Sequence, residues 1–324
     1  RLMRTLESAG QLDRRLECLP DDMELAERRR RGQPLTRPEL AVLLAFAKIA
    51  LYGALLDSAV PDDPYLGLEL NRYFPRRLAE RFGEALQTHP LRREIIATQL
   101  ANSMINRGGP SLVVRIADQT GAAPERIAFA FAAVRNSYRM TALNEAIDAL
   151  DNRLDGRLQL ELYAAVQDLL LDRMVWFLRH VDLGQGLAAI VGHYGEGIAA
   201  VAAALDAALE VPQRAARDAR AAELERAGVP ADLARRIADL GPLAAAPDIV
   251  LVADRTGRPI PEVTATYFAA GAFFGLDRLR APAHAIQTED YFDRLALDRA
   301  LDSIAEAERR IAAEMVMTGG TGAA

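Results

Sequence analysis

The sequence predicts an all-α protein built as a multi-helix bundle, and three observations support this fold class. Apolar residues recur at helical spacing along nearly the whole chain, whereas alternating runs of period two are almost absent. Hydrophobic residues make up 51% of the 324 positions, which is enough to bury a sizeable core. Capping residues mark where many of the helices begin and end, so their order along the chain can be predicted.

The best-marked helix begins after Thr36. Thr36 and Glu39 have the spacing of a capping box, and a proline lies in the first turn between them. This pattern predicts a helix over 37–57. Lys48 lies in the middle of its apolar run, which is shorter than the ~20 apolar residues that a membrane span needs. We therefore predict a buried helix rather than a transmembrane one.

Four consecutive arginines at 28–31 precede that helix and are followed by Gly32. They could form a patch that binds phosphate or RNA. A helix end is favoured instead, because cations complement the negative end of the helix dipole and glycine is the usual cap. No aromatic residue nearby offers the stacking that an RNA site would use.

The remaining helices follow from the same signals. Asp63 is a predicted N-cap with Pro64 in the first helical position. Gly108-Gly109-Pro110 is predicted to end one helix before the next begins. Beyond 37–57, helices are predicted at 64–72, 75–87, 90–106, 111–119, 124–139, 141–152, 156–180, 184–209, 212–227, 230–239, 247–255, 260–275 and 289–315. The glycine-rich residues 317–324 are predicted to form a flexible tail.

A weak internal repeat relates residues 112–143 to residues 248–279. The segment 117–121 recurs 136 residues later as 253–257, and each ends in Thr-Gly. The helix after each segment carries a similar apolar ridge. This repeat is the basis for predicting two pseudo-repeated helical halves, 1–180 and 181–316, although coincidence is the alternative.

Charge and cysteine content exclude several classes of protein. The net charge is −6 with both signs interspersed, which argues against a general nucleic-acid binder. Cys18 is the single cysteine, so an internal disulfide and a multi-cysteine metal site are excluded, and a reducing, cytoplasmic setting is expected. Lys48 is the only lysine, which removes almost every candidate for lysine catalysis.

No motif predicts a catalytic site. The glycine-rich residues 192–197 lack the spacing of a dinucleotide-binding loop, and no strand precedes them, so we expect them to break a helix or to let helices approach closely. The four histidines, at 89, 180, 193 and 284, lack the spacing that metal ligation favours. We therefore predict no catalytic, cofactor-binding or metal-ligating residue in this chain.

One polar stripe is a candidate docking surface. Glu94, Thr98, Asn102 and Asn106 fall four residues apart and so share one helix face. Asparagine and threonine are poor helix-interior residues, so the stripe needs an explanation. It could dock another domain or subunit through hydrogen bonds, form a solvated face, or belong to an internal polar network between helices.

Several segments together resemble one protein family. They are 19–22, 36–45, 61–64, 73–75, 89–107, 149–152 and 176–179. In this order, and over nearly the whole chain, they are similar to the C-terminal region of the large bacterial NAD-specific glutamate dehydrogenases.

The resemblance implies that the full-length enzyme converts L-glutamate and NAD to 2-oxoglutarate, ammonium and NADH. Members of this family carry a regulatory N-terminal region, a central catalytic region and a helical C-terminal region, and this sequence matches the last of these. The dinucleotide-binding unit is missing, and Lys48 lies in an apolar helix, so no catalytic or NAD-binding residue is carried over. The implied partners are the catalytic domain of the same chain and sister subunits of a homo-oligomer; no nucleic acid or membrane is expected.

Three hypotheses for function follow. The first is a non-catalytic C-terminal domain of an NAD-dependent glutamate dehydrogenase that acts in assembly or regulation. The second is a stand-alone helical module that binds another protein. The third is an independent enzyme, which a buried pocket lined by convergent charged groups would support.

Overall fold

The computed structural model describes residues 1–276, 279, 286 and 291–319. Within these residues the chain forms sixteen α-helices and three short 3₁₀ helices, and it contains no β-strand. The all-α prediction is therefore confirmed. The chain divides into two compact units, one made of residues 1–134 and 170–190 and the other of 135–169 and the residues from 191 onwards.

The first unit takes its helices mainly from the N-terminal third of the chain. They are α1 (Leu2–Ser8), α2 (Asp22–Arg30), α3 (Arg37–Leu56), α4 (Leu68–Tyr73), α5 (Arg76–Gln87), α6 (Arg92–Gly108), α7 (Leu112–Thr120) and most of α8 (Pro124–Ser137). The 3₁₀ helices Val60–Asp62 and Pro64–Gly67 connect α3 to α4, and a third, Leu183–Gln185, also belongs to this unit.

The second unit is built from the later helices. They are α9 (Met140–Asp148), α12 (Val211–Arg226), α13 (Ala231–Leu243), α14 (Ala246–Thr256), α15 (Ile260–Phe273) and α16 (Tyr291–Thr318). Two long helices, α10 (Gly156–His180) and α11 (Leu187–Ala208), contribute residues to both units.

Capping residues set the helix ends much as the sequence predicts. The amide of Thr36 donates to Glu39 Oε2 at 2.6 Å and the amide of Glu39 donates to Thr36 Oγ1, which completes the predicted capping box. Asp63 caps the turn that begins at Pro64 by accepting from the amide of Tyr65 at 2.8 Å. These bonds satisfy amides that have no partner within their own helices.

The four arginines at 28–31 terminate α2, as the helix-end interpretation predicts. Arg28 bonds Glu39 at 2.9 Å, and both Arg30 and Arg31 bond Glu27. Gly32 follows with a positive φ of 65°, a conformation that glycine adopts without strain. Three of the four cations are therefore engaged with neighbouring carboxylates at the end of the helix.

Several predicted boundaries differ from the structure. Predicted helix 64–72 is a 3₁₀ turn followed by α4, and α13 extends four residues beyond the predicted 230–239. Helix α16 continues to Thr318, so Met317 and Thr318 are helical rather than part of the predicted tail. Residues 320–324 of that tail lie outside the described residues.

The predicted glycine-rich segment 192–197 lies inside α11 and does not break it. Gly197 faces α14, where a Cβ on it would come within 2.4 Å of Val250 Cγ2. Gly192, one turn earlier, has open space around its Cβ position. Of the two expectations for this segment, close helix approach is therefore correct, and Gly197 provides it.

The two members of the predicted repeat have matching local structure. The offset of 136 residues carries α8 onto α15 at both ends, and it carries the end of α7 onto the end of α14. Gly121 and Gly257 both cap the shorter helix in the left-handed conformation, with φ of 70° and 65°. Duplication of the halves 1–180 and 181–316 stays a prediction.

Two polar contacts attach α16 within the second unit. Arg309 Nη1 donates to Asp248 Oδ1 of α14 at 2.5 Å, and both side chains are buried. The hydroxyl of Tyr267 on α15 donates to Glu308 Oε2 at 2.9 Å. A Cβ at Gly271 would lie 2.6 Å from Glu308 Oε1, so this glycine leaves room for the carboxylate.

A cluster of opposite charges links α11, α12 and α13. The side chain of Arg217 is only 3% exposed and lies 2.7 Å from Asp206, 2.9 Å from Asp218 and 3.7 Å from Asp239. Arg235 contacts the same three carboxylates. Burial raises the pKa of Asp239, while the hydrogen bond from Arg217 lowers the pKa of Asp206.

Candidate docking surface

The predicted polar stripe lies on α6, the helix that packs against both α3 and α4. The opposite side of α6 is apolar and buried, with Ile96, Leu100 and Met104 fully covered. Glu94, Thr98 and Asn102 are half-buried, and Asn106 is exposed. The stripe therefore lies along one edge of a core helix.

Two arginines fix the first turn of α6 to the end of α3. Arg93 Nη2 donates to the carbonyl oxygen of Leu56 at 2.7 Å and to that of Ser58 at 3.0 Å, and Arg93 also pairs with Asp62. Arg92 Nη1 donates to the carbonyl oxygen of Pro61 at 2.6 Å. The carboxylate of Asp62 raises the pKa of Arg93. These bonds satisfy the last carbonyl of α3 and two carbonyls of the connection that follows it, and they tie α6 to the end of α3.

The stripe side chains are not tied into the fold. In the described part of the chain, the side chains of Thr98, Asn102 and Asn106 form no hydrogen bond, and Glu94 has only an electrostatic interaction with Arg93. This arrangement argues against an internal polar network, which would satisfy these groups. A docking face and a solvated face remain, and the docking role stays a prediction.

A second surface on the same unit was not recognised in the sequence. Helix α3 buries Leu43, Ala47, Leu51 and Leu55, which lie on one face. The opposite side we name the outer face; its residues are Ala41, Ala45, Lys48, Ile49, Tyr52 and Leu56. The prediction that α3 is a buried helix is thus wrong for this side, because a run that is apolar all round does not indicate which face is covered.

The outer face is largely apolar and open. Ile49 is 64% exposed, Ala41 and Ala45 are exposed, and Tyr52 and Leu56 are half-buried. By length and composition α3 and α11 could each cross a membrane. These two features are weak evidence for a membrane span, because core helices of soluble proteins can share them. Only 22% of the most apolar stretch of α3 is buried, compared with 33% for α11.

Lys48 is half-buried within the outer face. Its ammonium forms no ion pair with any residue that the structure describes. At least half of the arginines of this unit behave differently, since they lie within bonding distance of carboxylates. An apolar helix face that carries one unpaired cation can bind a partner through both apolar contact and charge complementarity.

A cleft of about 350 Å³ between α1 and α2 concentrates positive charge. Its charged lining residues are Arg1, Arg4, Arg14, Asp22 and Arg29. Arg14 bonds Glu7 at 2.7 Å and Asp22 at 2.9 Å, and these bonds lower the pKa values of both carboxylates. Arg4 also pairs with Asp22, and Arg1 pairs with Asp118, so three of the four arginines that line the cleft are matched by carboxylates of this chain.

The histidines are dispersed in the structure. His193 Nε2 lies 2.9 Å from Asp254 Oδ2 at the surface, and the rings of His89 and His180 lie beside Phe74 and Trp176. His284 lies outside the described residues. Among the residues the structure describes, no group of three His, Cys, Asp or Glu side chains is arranged to hold a metal ion.

The chain matches one protein family and several known enzymes along its sequence. The family model for the C-terminal region of glutamate dehydrogenase matches residues 32–324. The chain is 38% identical over 311 residues to the NAD-specific glutamate dehydrogenase of Pseudomonas aeruginosa, covering 96% of this chain and 19% of the relative. The corresponding enzyme of Halomonas elongata is 35% identical, with coverages of 99% and 20%. That of Mycobacterium tuberculosis is 30% identical, with coverages of 96% and 19%.

The coverage is strongly asymmetric between the chain and its relatives. Nearly all of this chain is matched in each comparison, yet it spans only about a fifth of each relative's length. The family description places the match in the C-terminal part of those proteins. The chain is therefore similar to one terminal region of a much larger dehydrogenase.

Proposed function

Because the chain belongs to the glutamate dehydrogenase C-terminal family, we propose that it is the C-terminal helical region of an NAD-dependent glutamate dehydrogenase and acts in assembly or regulation rather than in the chemical step. The full-length enzyme would convert L-glutamate and NAD to 2-oxoglutarate, ammonium and NADH. The observation that carries the proposal is the match of 96–99% of this chain to about a fifth of each relative.

The kind of fold supports a role outside the NAD site. Dinucleotide-binding units of the Rossmann type hold the pyrophosphate between a parallel β-strand and a helix N-terminus. The described residues contain helices and no strand. NAD would therefore bind to another region of the full-length enzyme.

Electrostatics support the same proposal. Arg14, Arg217 and Arg309 are each held by carboxylates of this chain and stabilise its fold. The polar stripe and the outer face of α3 are two surfaces that the fold leaves open for contacts with other regions. These contacts would be made with the catalytic domain of the same chain or with sister subunits of a homo-oligomer.

A truncation tests this proposal. We expect a full-length enzyme cut before Arg1 to lose its native oligomeric state, or to change its response to substrate, while its catalytic domain still binds NAD. Sedimentation velocity would report the assembly, fluorescence quenching would report NAD binding, and steady-state kinetics would report activity. Unchanged assembly and kinetics after truncation would contradict a role in assembly or regulation.

A further inference from the structure

We propose that the outer face of α3 docks on the preceding region of the dehydrogenase chain, at an apolar surface that places a carboxylate opposite Lys48. This inference rests on the proposed function, because it assumes that a dehydrogenase region precedes this one. It adds an interface location and a partner chemistry, which the family match does not supply.

The apolar character of the outer face is the first argument. Ile49 is 64% exposed, and the flanking Ala45 and Tyr52 leave a shallow surface whose single charged side chain is Lys48. Contact between water and such a surface is unfavourable in proportion to its apolar area. Docking would remove that contact from a helix whose other side is already covered by α6 and the N-terminal helices.

Lys48 supplies the second argument. Lys48 is half-buried as a residue, and its ammonium has no carboxylate partner among the described residues. An apolar partner surface alone would desolvate this charge, and a buried charge without a partner is strongly unfavourable. The partner surface must therefore carry an aspartate or glutamate within reach of Lys48 Nζ.

Lys48 also argues against two other occupants. If a second copy packed its outer face around a two-fold axis, the two Lys48 ammoniums would lie close together and repel. A lipid bilayer would place the same ammonium near its centre, where a charged side chain is unfavourable. The outer face of a second copy carries no carboxylate, and the hydrocarbon core of a bilayer carries no anion, so neither would match Lys48.

The size of the rest of the enzyme is the third argument. This chain spans about a fifth of its relatives, so about four-fifths of a dehydrogenase chain would lie on its N-terminal side. Helix α3 begins at Arg37, early in the matched region, which keeps its outer face close in sequence to that preceding part. A covalently linked partner needs little affinity to remain docked, because its effective concentration is high.

Lysine chemistry in the full-length enzyme tests the proposal directly. We expect sulfo-NHS-acetate to modify Lys48 about tenfold more slowly in the full-length enzyme than in the isolated C-terminal region, as mass spectrometry would measure. A tenfold difference corresponds to a docked state that is favoured over the undocked state by about 1.4 kcal/mol. A carbodiimide should cross-link Lys48 to an aspartate or glutamate of the preceding region. Equal modification rates in both proteins would overturn the proposal.

Isotope mixing identifies the occupant. In enzyme assembled from ¹⁴N and ¹⁵N chains, a cross-link from Lys48 to the preceding dehydrogenase region supports the proposal. A cross-link to the C-terminal region of another copy, or protection of Lys48 that appears only with phosphatidylglycerol vesicles, would overturn it in favour of self-association or membrane contact.

A matched pair of variants separates docking from folding. Ile49→Gln in the full-length enzyme should restore fast modification of Lys48. Leu160→Gln, at a leucine of α10 that is 70% exposed, should leave Lys48 protected. If truncation before Arg1 disrupts the enzyme but Lys48 reacts freely in the intact protein, the docking inference fails and the proposed function stands. If truncation has no effect, the proposed function itself fails.

Discussion

Arg309 of α16 donates a hydrogen bond to Asp248 of α14 across 2.5 Å, and both side chains are buried. The pair connects helices that are far apart in sequence and fixes the last helix to the second unit. Removing one member of a buried ion pair leaves the other charge desolvated without its partner, which is costly.

Arg309→Met should therefore lower the free energy of unfolding by about 3 kcal/mol, as guanidinium chloride denaturation would measure. Arg299→Met, at an exposed arginine of the same helix, is the control and should change it by less than about 0.5 kcal/mol. Equal effects from the two variants would show that the buried pair contributes no special stability.

The close contact between α11 and α14 gives a second prediction. Gly197→Ala should destabilise the protein by about 1–3 kcal/mol, because the new methyl group would overlap Val250. Gly192→Ala, in the same helix with open space at its Cβ, should instead stabilise it by about 0.5–1 kcal/mol. Thermal denaturation would compare the melting temperatures of both variants with that of the unchanged protein. Stabilisation by Gly197→Ala would contradict the close contact between α11 and α14.

Asp239 should make stability depend on pH in a defined direction. Burial raises its pKa in the folded state, so the folded protein favours the protonated form. The resulting contribution is present below the unfolded pKa of about 3.9 and is lost as the pH rises through the folded pKa. Asp239→Asn should therefore raise the melting temperature at neutral pH, and the gain should disappear in acid.

The pKa of the neighbouring Asp206 is shifted in the opposite direction, so this residue serves as a comparison. Its pKa is lowered by the hydrogen bond from Arg217, so its contribution is present at neutral pH and is lost as the pH falls through its folded pKa. Asp206→Asn should lower the melting temperature at neutral pH. If Asp239→Asn does so too, its contacts with Arg217 and Arg235 outweigh its burial.

The polar stripe on α6 gives a prediction about assembly. Replacing Asn102 and Asn106 by alanine should weaken docking more than folding, because their amides form no hydrogen bond within the described residues. The measurement compares assembly of the full-length enzyme with the melting temperature of the isolated region. A large loss of melting temperature with assembly intact would instead place the stripe in an internal network.

Local signals made most helices predictable from sequence. The capping pair Thr36 and Glu39 defines the start of α3, and the left-handed glycines Gly121 and Gly257 end α7 and α14. These features depend on residues within one turn of each other, so their spacing carries the information. Helix α1 lacks a side-chain cap and was not predicted.

Long-range features were not predictable in the same way. Asp248 and Arg309 are separated by 61 positions, and nothing near either residue indicates the other. The outer face of α3 was missed because apolar residues surround that helix, so periodicity could not show which side packs on α6. The stripe on α6 was found because its polar residues recur every four positions against an apolar background.

The most direct test of the account is glutamate-dependent NAD reduction by the isolated region, measured at the same molar concentration as the full-length enzyme. Circular dichroism with a cooperative melt would establish that the isolated region is folded. The account predicts no NADH from the folded region and steady production from the full-length enzyme. NADH formation by the folded region alone would contradict the central claim that this helical region acts outside the chemical step.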